Sequence, residues 1–176
     1  LAWLNQVYGS NLDTLDLRLL RQIDEQYGRS AKTLLLQAVR QTPFIRTTSL
    51  GRLFDAVAAL IGFGAREQFE GQAAMWLEGI ISRSSESGYD FEINEANGAV
   101  VLSPDPMFRR LITDLLSGTP ARVMSCRFHE GLAQAWTRMA LIAAEHKSCE
   151  HVALSGGWAR AEPTQGTVNP WRYVAT

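Results

Sequence analysis

The 176-residue chain has only two cysteines and three histidines, no apolar run of membrane-spanning length and no run of basic residues. Each shortage removes a class of function. Cys126 and Cys149 alone cannot build a four-ligand structural zinc site, and so few thiols suit a reducing compartment better than a disulfide framework. His146 and His151 have no partner at metal-ligand spacing. With 17 Lys and Arg against 18 Asp and Glu, the formal charge is -1 and the signs are interspersed. This leaves no electrostatic case for binding nucleic acid or an anionic membrane. No apolar segment is long enough to span a bilayer, and no basic-then-apolar leader opens the sequence. The default these absences set is a soluble, cytoplasmic protein.

What remains is 46% apolar, enough for one proper core. The most informative stretch is Thr47 to Glu78, which reads as two amphipathic helices. Thr48 or Ser49 can cap the first; Leu50, Leu53, Phe54, Val57 and Ile61 recur at helical spacing until Gly62 offers a stop. The neighbouring face reads Gly51, Asp55, Ala58 or Ala59, and Gly62, a carboxylate in a stripe with almost no bulk. Such a stripe admits another backbone in a helix crossing or a flat ligand. The second helix is expected from about Glu67, burying Phe69, Ala73, Trp76, Leu77 and Ile80, with Glu70 and Gly71 at its first turn, where N-H groups suit an oxygen-rich ligand.

The flanking segments are scaffold. Helices are expected over Leu1 to Gly9, Asp13 to Tyr27 and Ala31 to Gln41, the last with Leu34, Leu35, Ala38 and Val39 inward. Tyr89, Phe91 and Ile93 alternate with Asp90, Glu92 and Asn94 as a half-buried strand, Asn97-Gly98 turns it, and Ala99 to Leu102 returns. Two more helices follow, Pro104 to Gly118 and Pro120 to about Lys147, the second with Val123, Phe128, Leu132, Ala135, Met139 and Ile142 inward. On it, His129 beside Glu130 is either a proton carrier or a hydrogen-bonded structural group. His151 to Leu154 reads as a short buried strand opening into Ser155, Gly156 and Gly157, a loop able to present backbone N-H groups to phosphate and equally an ordinary turn.

Four segments together resemble one family. GRLFDAVAALIG followed by FEGQAAMWLE, RFHEGLA from Arg127 to Ala133, VALSGG from Val152 to Gly157, and NPWR from Asn169 to Arg172 are similar to the C-terminal transferase domain of the HypF carbamoyltransferases, which mature [NiFe] hydrogenases. The more distant relative is TsaD, which shares the actin-like ATPase fold. The resemblance implies a mostly helical α/β domain, one half of that fold, with a small hairpin. It implies transfer of a carbamoyl group from carbamoyl adenylate, made with ATP and magnesium, to the C-terminal cysteine of a HypE-like acceptor. Asp55 would then hydrogen-bond the ribose, Glu70 and Gly71 would line the nucleoside side, and Ser155, Gly156 and Gly157 would face the phosphates.

The chain also departs from the family. Trp158 to Ala161 stand where a nucleotide-holding asparagine is expected, and the family's metal-binding histidine pair and aspartate are missing, as are its other domains. Residues 1–157 are therefore read as a transferase subdomain and 158–176 as a tail. Asn169 is a good cap and Pro170 a good first helical residue, so NPWRYVAT joined to LAWLNQVYG would make one helix ending at Gly9. The expectation is a circular permutation that places Leu1 near Thr176, with an unrelated or frame-shifted tail as the alternative. A second functional reading, a non-catalytic remnant or interaction module of the same fold, stays open.

Overall fold

The computed structural model describes residues 1–41, 49–63, 68–81, 87–96 and 99–147. The phosphate-loop expectation at Ser155 to Gly157, the Asn97-Gly98 turn and the tail lie outside them. The order is α1 (Ala2–Tyr8), a 3-10 segment (Gly9–Thr14), α2 (Arg18–Tyr27), α3 (Arg29–Gln41), α4 (Leu50–Ile61), α5 (Gln72–Gly79), β1 (Glu92–Ala96), β2 (Ala99–Ser103), α6 (Asp105–Leu116) and α7 (Ala121–Lys147). The domain is mostly helical, and β1 and β2 pair antiparallel from Glu92 with Ser103 to Ala96 with Ala99.

Local chemistry accounts for most element ends. Gly9 takes φ 54° and donates its N-H to the Asn5 carbonyl, ending α1. Ser49 caps α4 through its Oγ, 3.5 Å from the Arg52 N-H, and Gly62 at φ 122° closes it. The Asp13 to Tyr27 helix of the sequence reading is corrected: α2 starts only at Arg18, after an extended break at Leu15 and Leu17. Both Leu12 and Leu17 are buried. On an unbroken helix from Asp13, Leu17 would face about 160° away from Leu15, which packs against the same core, so the break lets both reach it.

The inward face of α3 is also corrected. Leu34 is 65% exposed, Leu35 43% exposed, and Leu36 is the buried leucine. Lys32, Leu36 and Arg40 share one face at four-residue spacing; Lys32 pairs with Asp24 and Arg40 with Asp13 at 3.0 Å. Two ion pairs and one leucine turn that face toward α2 and the 3-10 segment, which leaves the apolar stripe pointing away.

One hydrophobic cluster joins the elements. α4 contributes Leu53, Phe54, Val57, Ala58, Leu60 and Ile61 to it, and α6 contributes Met107, Phe108, Leu111 and Ile112. The Trp3 ring stacks on Phe108 with centroids 5.5 Å apart, tying α1 to α6. Tyr89 and Phe91 are buried as expected, just ahead of β1. Along α7, Phe128, Leu132 and Ala135 are buried, but from residue 136 to 145 no side chain is, so Met139 and Ile142 are only partly covered.

Candidate functional site

α4 and α5 pack against each other; Asp55 lies on α4, and Glu70 and Gly71 lie in the turn that leads into α5. Asp55 is half-buried, its side chain 31% exposed, and Arg52 donates to its Oδ2 at 2.9 Å. Ala58, on the same stripe, is fully buried, whereas Gly51, Asp55 and Ala59 are partly exposed and Gly62 is exposed. A Cβ added at Gly51 would meet only the Ser49 Oγ, at 3.6 Å, so no neighbouring backbone crosses there. The helix-crossing explanation therefore fails for this glycine. What stands beside it is a carboxylate reachable from solvent.

The expected start of the second helix near Glu67 is corrected to Gln72, and Phe69 is exposed rather than buried. Gly71 is the cause. It sits at the N-cap of α5 with φ 82°, a left-handed conformation that interrupts any helix running through it. The Gln72 Oε1 accepts from the Gln68 N-H at 2.7 Å and holds the turn. A Cβ at Gly71 would meet nothing within 4 Å, so space beside this helix start is open to a ligand. Glu70 is exposed next to it. Ala73 and Leu77 are buried, as expected, and anchor α5.

The RFHEGLA motif proves to be a packing device, and its partners were not visible in the sequence. Arg127 reaches Asp114 on α6 with Nη1 to Oδ2 at 2.6 Å, and the Tyr89 hydroxyl donates to the same oxygen at 2.8 Å. Asp114 is only 4% exposed. Burial above all, then the hydrogen bond to this carboxylate and its charge, push the Tyr89 hydroxyl well above its ordinary range. The Tyr89 N-H donates to the Arg127 carbonyl at 2.9 Å. At this point the backbones touch: a Cβ on Gly88 would lie 2.3 Å from the Gly131 nitrogen, and one on Gly131 would lie 2.0 Å from the Tyr89 oxygen.

His129 stands in the same part of α7. Its Nδ1 donates to the Ser125 carbonyl at 2.8 Å, and its ring meets Phe54 and Phe128 edge-on. Burial lowers its pKa, with the Ser125 bond opposing, so the ring is neutral near pH 7. The Ser125 hydroxyl, fully buried, donates to the Leu77 carbonyl at 2.7 Å and ties α7 to the end of α5. These contacts serve packing, the structural alternative stated for His129.

A cleft of about 300 Å3 opens elsewhere, between the 3-10 segment, α2 and α3. Asp13, Asp16, Asp24, Arg21 and Lys32 line it, each paired with an opposite charge there or with Arg40. No expected ligand residue lines this cleft. Among the described residues no group of three or more His, Cys, Asp or Glu side chains could hold a metal ion. No helix among them is long and apolar enough to cross a membrane.

Comparisons with known proteins identify the family. The family described as "Carbamoyltransferase, Kae1-like Domain, second subdomain" matches residues 2–162. Carbamoyltransferase HypF of Synechocystis sp. is 33% identical over 112 residues, 63% of this chain and 14% of that one. Carbamoyltransferase HypF of Rhodobacter capsulatus is 38% identical over the same shares. The carbamoyltransferase HypF homolog of Cupriavidus necator is 31% identical over 150 residues, 77% of this chain and 37% of that one. Among solved structures, full-length HypF in a phosphate- and nucleotide-bound form matches 89% of this chain and 24% of its own, with a TM-score of 0.71 and 29% identity. The chain thus spans between about a seventh and just over a third of these curated relatives. It belongs to the HypF carbamoyltransferase family, as the second subdomain of the Kae1-like, TsaD-like domain.

Proposed function

We propose that this chain is the nucleotide-binding part of a HypF-like carbamoyltransferase, which passes a carbamoyl group from carbamoyl adenylate to the C-terminal cysteine of a HypE-like protein in [NiFe] hydrogenase maturation. The observation that carries the reading is the likeness, over 89% of this chain, to a HypF solved with phosphate and nucleotide bound. The residues present fit a nucleoside. Asp55, about a third exposed beside Arg52, offers a carboxylate acceptor for ribose hydroxyls, and Gly71 leaves the first turn of α5 open to close approach. Ser155, Gly156 and Gly157 would face the phosphates.

In this reading the residues bind and orient, and the attacking thiolate belongs to the acceptor protein. It adds to the carbamoyl carbon, and AMP leaves. The magnesium that accompanies ATP has no protein-built site among the described residues, so no step is assigned to it. Calorimetric titration of the chain with ATP and magnesium, beside Asp55→Ala, tests the proposal. A missing charge-assisted hydrogen bond weakens binding by about 1 to 3 kcal/mol, roughly 5- to 150-fold. Equal binding by both chains refutes the role of Asp55; no binding by a folded chain favours an interaction module that keeps the packing without the ligand.

A further inference from the structure

α3 presents an apolar stripe to solvent that the described residues leave uncovered. Ala31, Leu34, Leu35 and Ala38 recur at the spacing of a buried helix face, yet Leu34 is 65% exposed, Leu35 43% exposed, and Ala38 is exposed as well. The helix has no freedom to roll them inward. Lys32, Leu36 and Arg40 already hold its opposite face through Asp24 and Asp13. On one side the stripe is flanked by Ser30, Gln37 and Gln41, polar but uncharged; on the other Lys32 is held by Asp24, and Arg29 and Arg40 sit on the far side. Water-facing helix surfaces carry Lys and Glu; faces buried between domains are depleted of charge.

We propose that this α3 face is the docking surface for the rest of the HypF-type protein, an apolar, uncharged surface of the first subdomain of the same Kae1-like domain. The proposal rests on the reading of this chain as one part of that transferase. Two observations select this occupant. The matching family is itself a second subdomain, and this chain accounts for 24% of the solved HypF chain it superimposes on, so three quarters of such a molecule lies elsewhere. A second copy of the chain, pairing through Leu34 and Leu35, is the competing occupant.

The test needs no nucleotide, so its outcome is independent of whether Asp55 binds ATP. Synechocystis HypF lacking the 112 matched residues is mixed with this chain, and affinity is measured for wild type, for Leu34→Glu with Leu35→Glu, and for Leu116→Glu. Leu116 on α6 is 53% exposed and serves as the control. The proposal expects a complex that the double substitution weakens at least about tenfold and the control leaves unchanged. A complex indifferent to the double substitution, no complex with a folded remainder, or a self-dimer of the chain broken by the same pair overturns it. Should the remainder not fold alone, the pair is read in full-length Synechocystis HypF carrying this chain in place of its own segment. There it must lower the melting temperature while leaving that of the isolated chain unchanged; no effect in either protein overturns the proposal.

Discussion

Gly131→Ala is the substitution whose sign depends most on tertiary packing. In an open helix interior, alanine for glycine stabilises by up to about 1 kcal/mol. Here the new Cβ would lie 2.0 Å from the Tyr89 carbonyl oxygen, so the strand of backbone at Gly88 and Tyr89 must retreat by about 1.4 Å to reach an ordinary 3.4 Å contact. The Tyr89 N-H bond to Arg127, now 2.9 Å, does not survive that displacement. Its loss costs about 1 kcal/mol, and pulling the Tyr89 hydroxyl from the buried Asp114 costs about 1 to 3 kcal/mol more. Set against the helix gain, the net expectation is destabilisation by about 1 to 4 kcal/mol. Gly79→Ala, where a Cβ meets nothing within 4 Å, should be neutral or stabilising by less than about 1 kcal/mol. Urea unfolding followed by far-UV circular dichroism measures both. A Gly131→Ala chain as stable as wild type would refute the close backbone contact.

Asp114→Asn leaves Arg127 without its buried counter-charge and should cost about 3 kcal/mol in the same urea assay, whereas Tyr89→Phe, removing one hydrogen bond, should cost about 1 kcal/mol. Because burial lowers the folded-state pKa of His129, the unfolded chain binds the extra proton first as pH falls. Stability from this group is therefore complete above about pH 6.5 and declines below it, by at most about 1.4 kcal/mol per pH unit. His129→Phe should flatten that slope, and an unchanged profile contradicts the neutral assignment. Asp55→Ala removes a surface pair with Arg52, whose side chain is 69% exposed, and should shift stability by less than about 1 kcal/mol, so any loss of nucleotide affinity can be separated from unfolding.

The sequence disclosed elements whose information is local. The α4 face, its Ser49 cap and Gly62 stop, the hairpin pairing, and Phe128, Leu132 and Ala135 on α7 all follow from spacing within one segment. The start of α2 did not, because bringing both Leu15 and Leu17 to the core outweighed an unbroken helix. The inward face of α3 was misread because two ion pairs to distant aspartates, not its leucines, set its orientation. Phe69 was misassigned because the left-handed Gly71 delayed the start of α5. At the candidate site, the small-residue surroundings of Asp55 and the glycine at the start of α5 were legible from spacing, and their ligand roles came from the resemblance alone. Asp114, Ser125 and Gly88 were missed, as was the partner of the expected buried Tyr89, since these contacts join α5, α6 and α7 across 13 to 48 residues of sequence. The one signal available was a buried-face position on α6 occupied by an aspartate, with an arginine in the next helix.

The central claim is that nucleotide binds on the α4–α5 pair. A titration of the isotopically labelled chain with ATP and magnesium, followed through its backbone amide resonances, tests it most directly. The account predicts the largest shifts at Gly71, Gln72 and Asp55, absent in Asp55→Ala. Shifts confined to the cleft at Arg21, Asp24 and Lys32, or none in a folded chain, would contradict it.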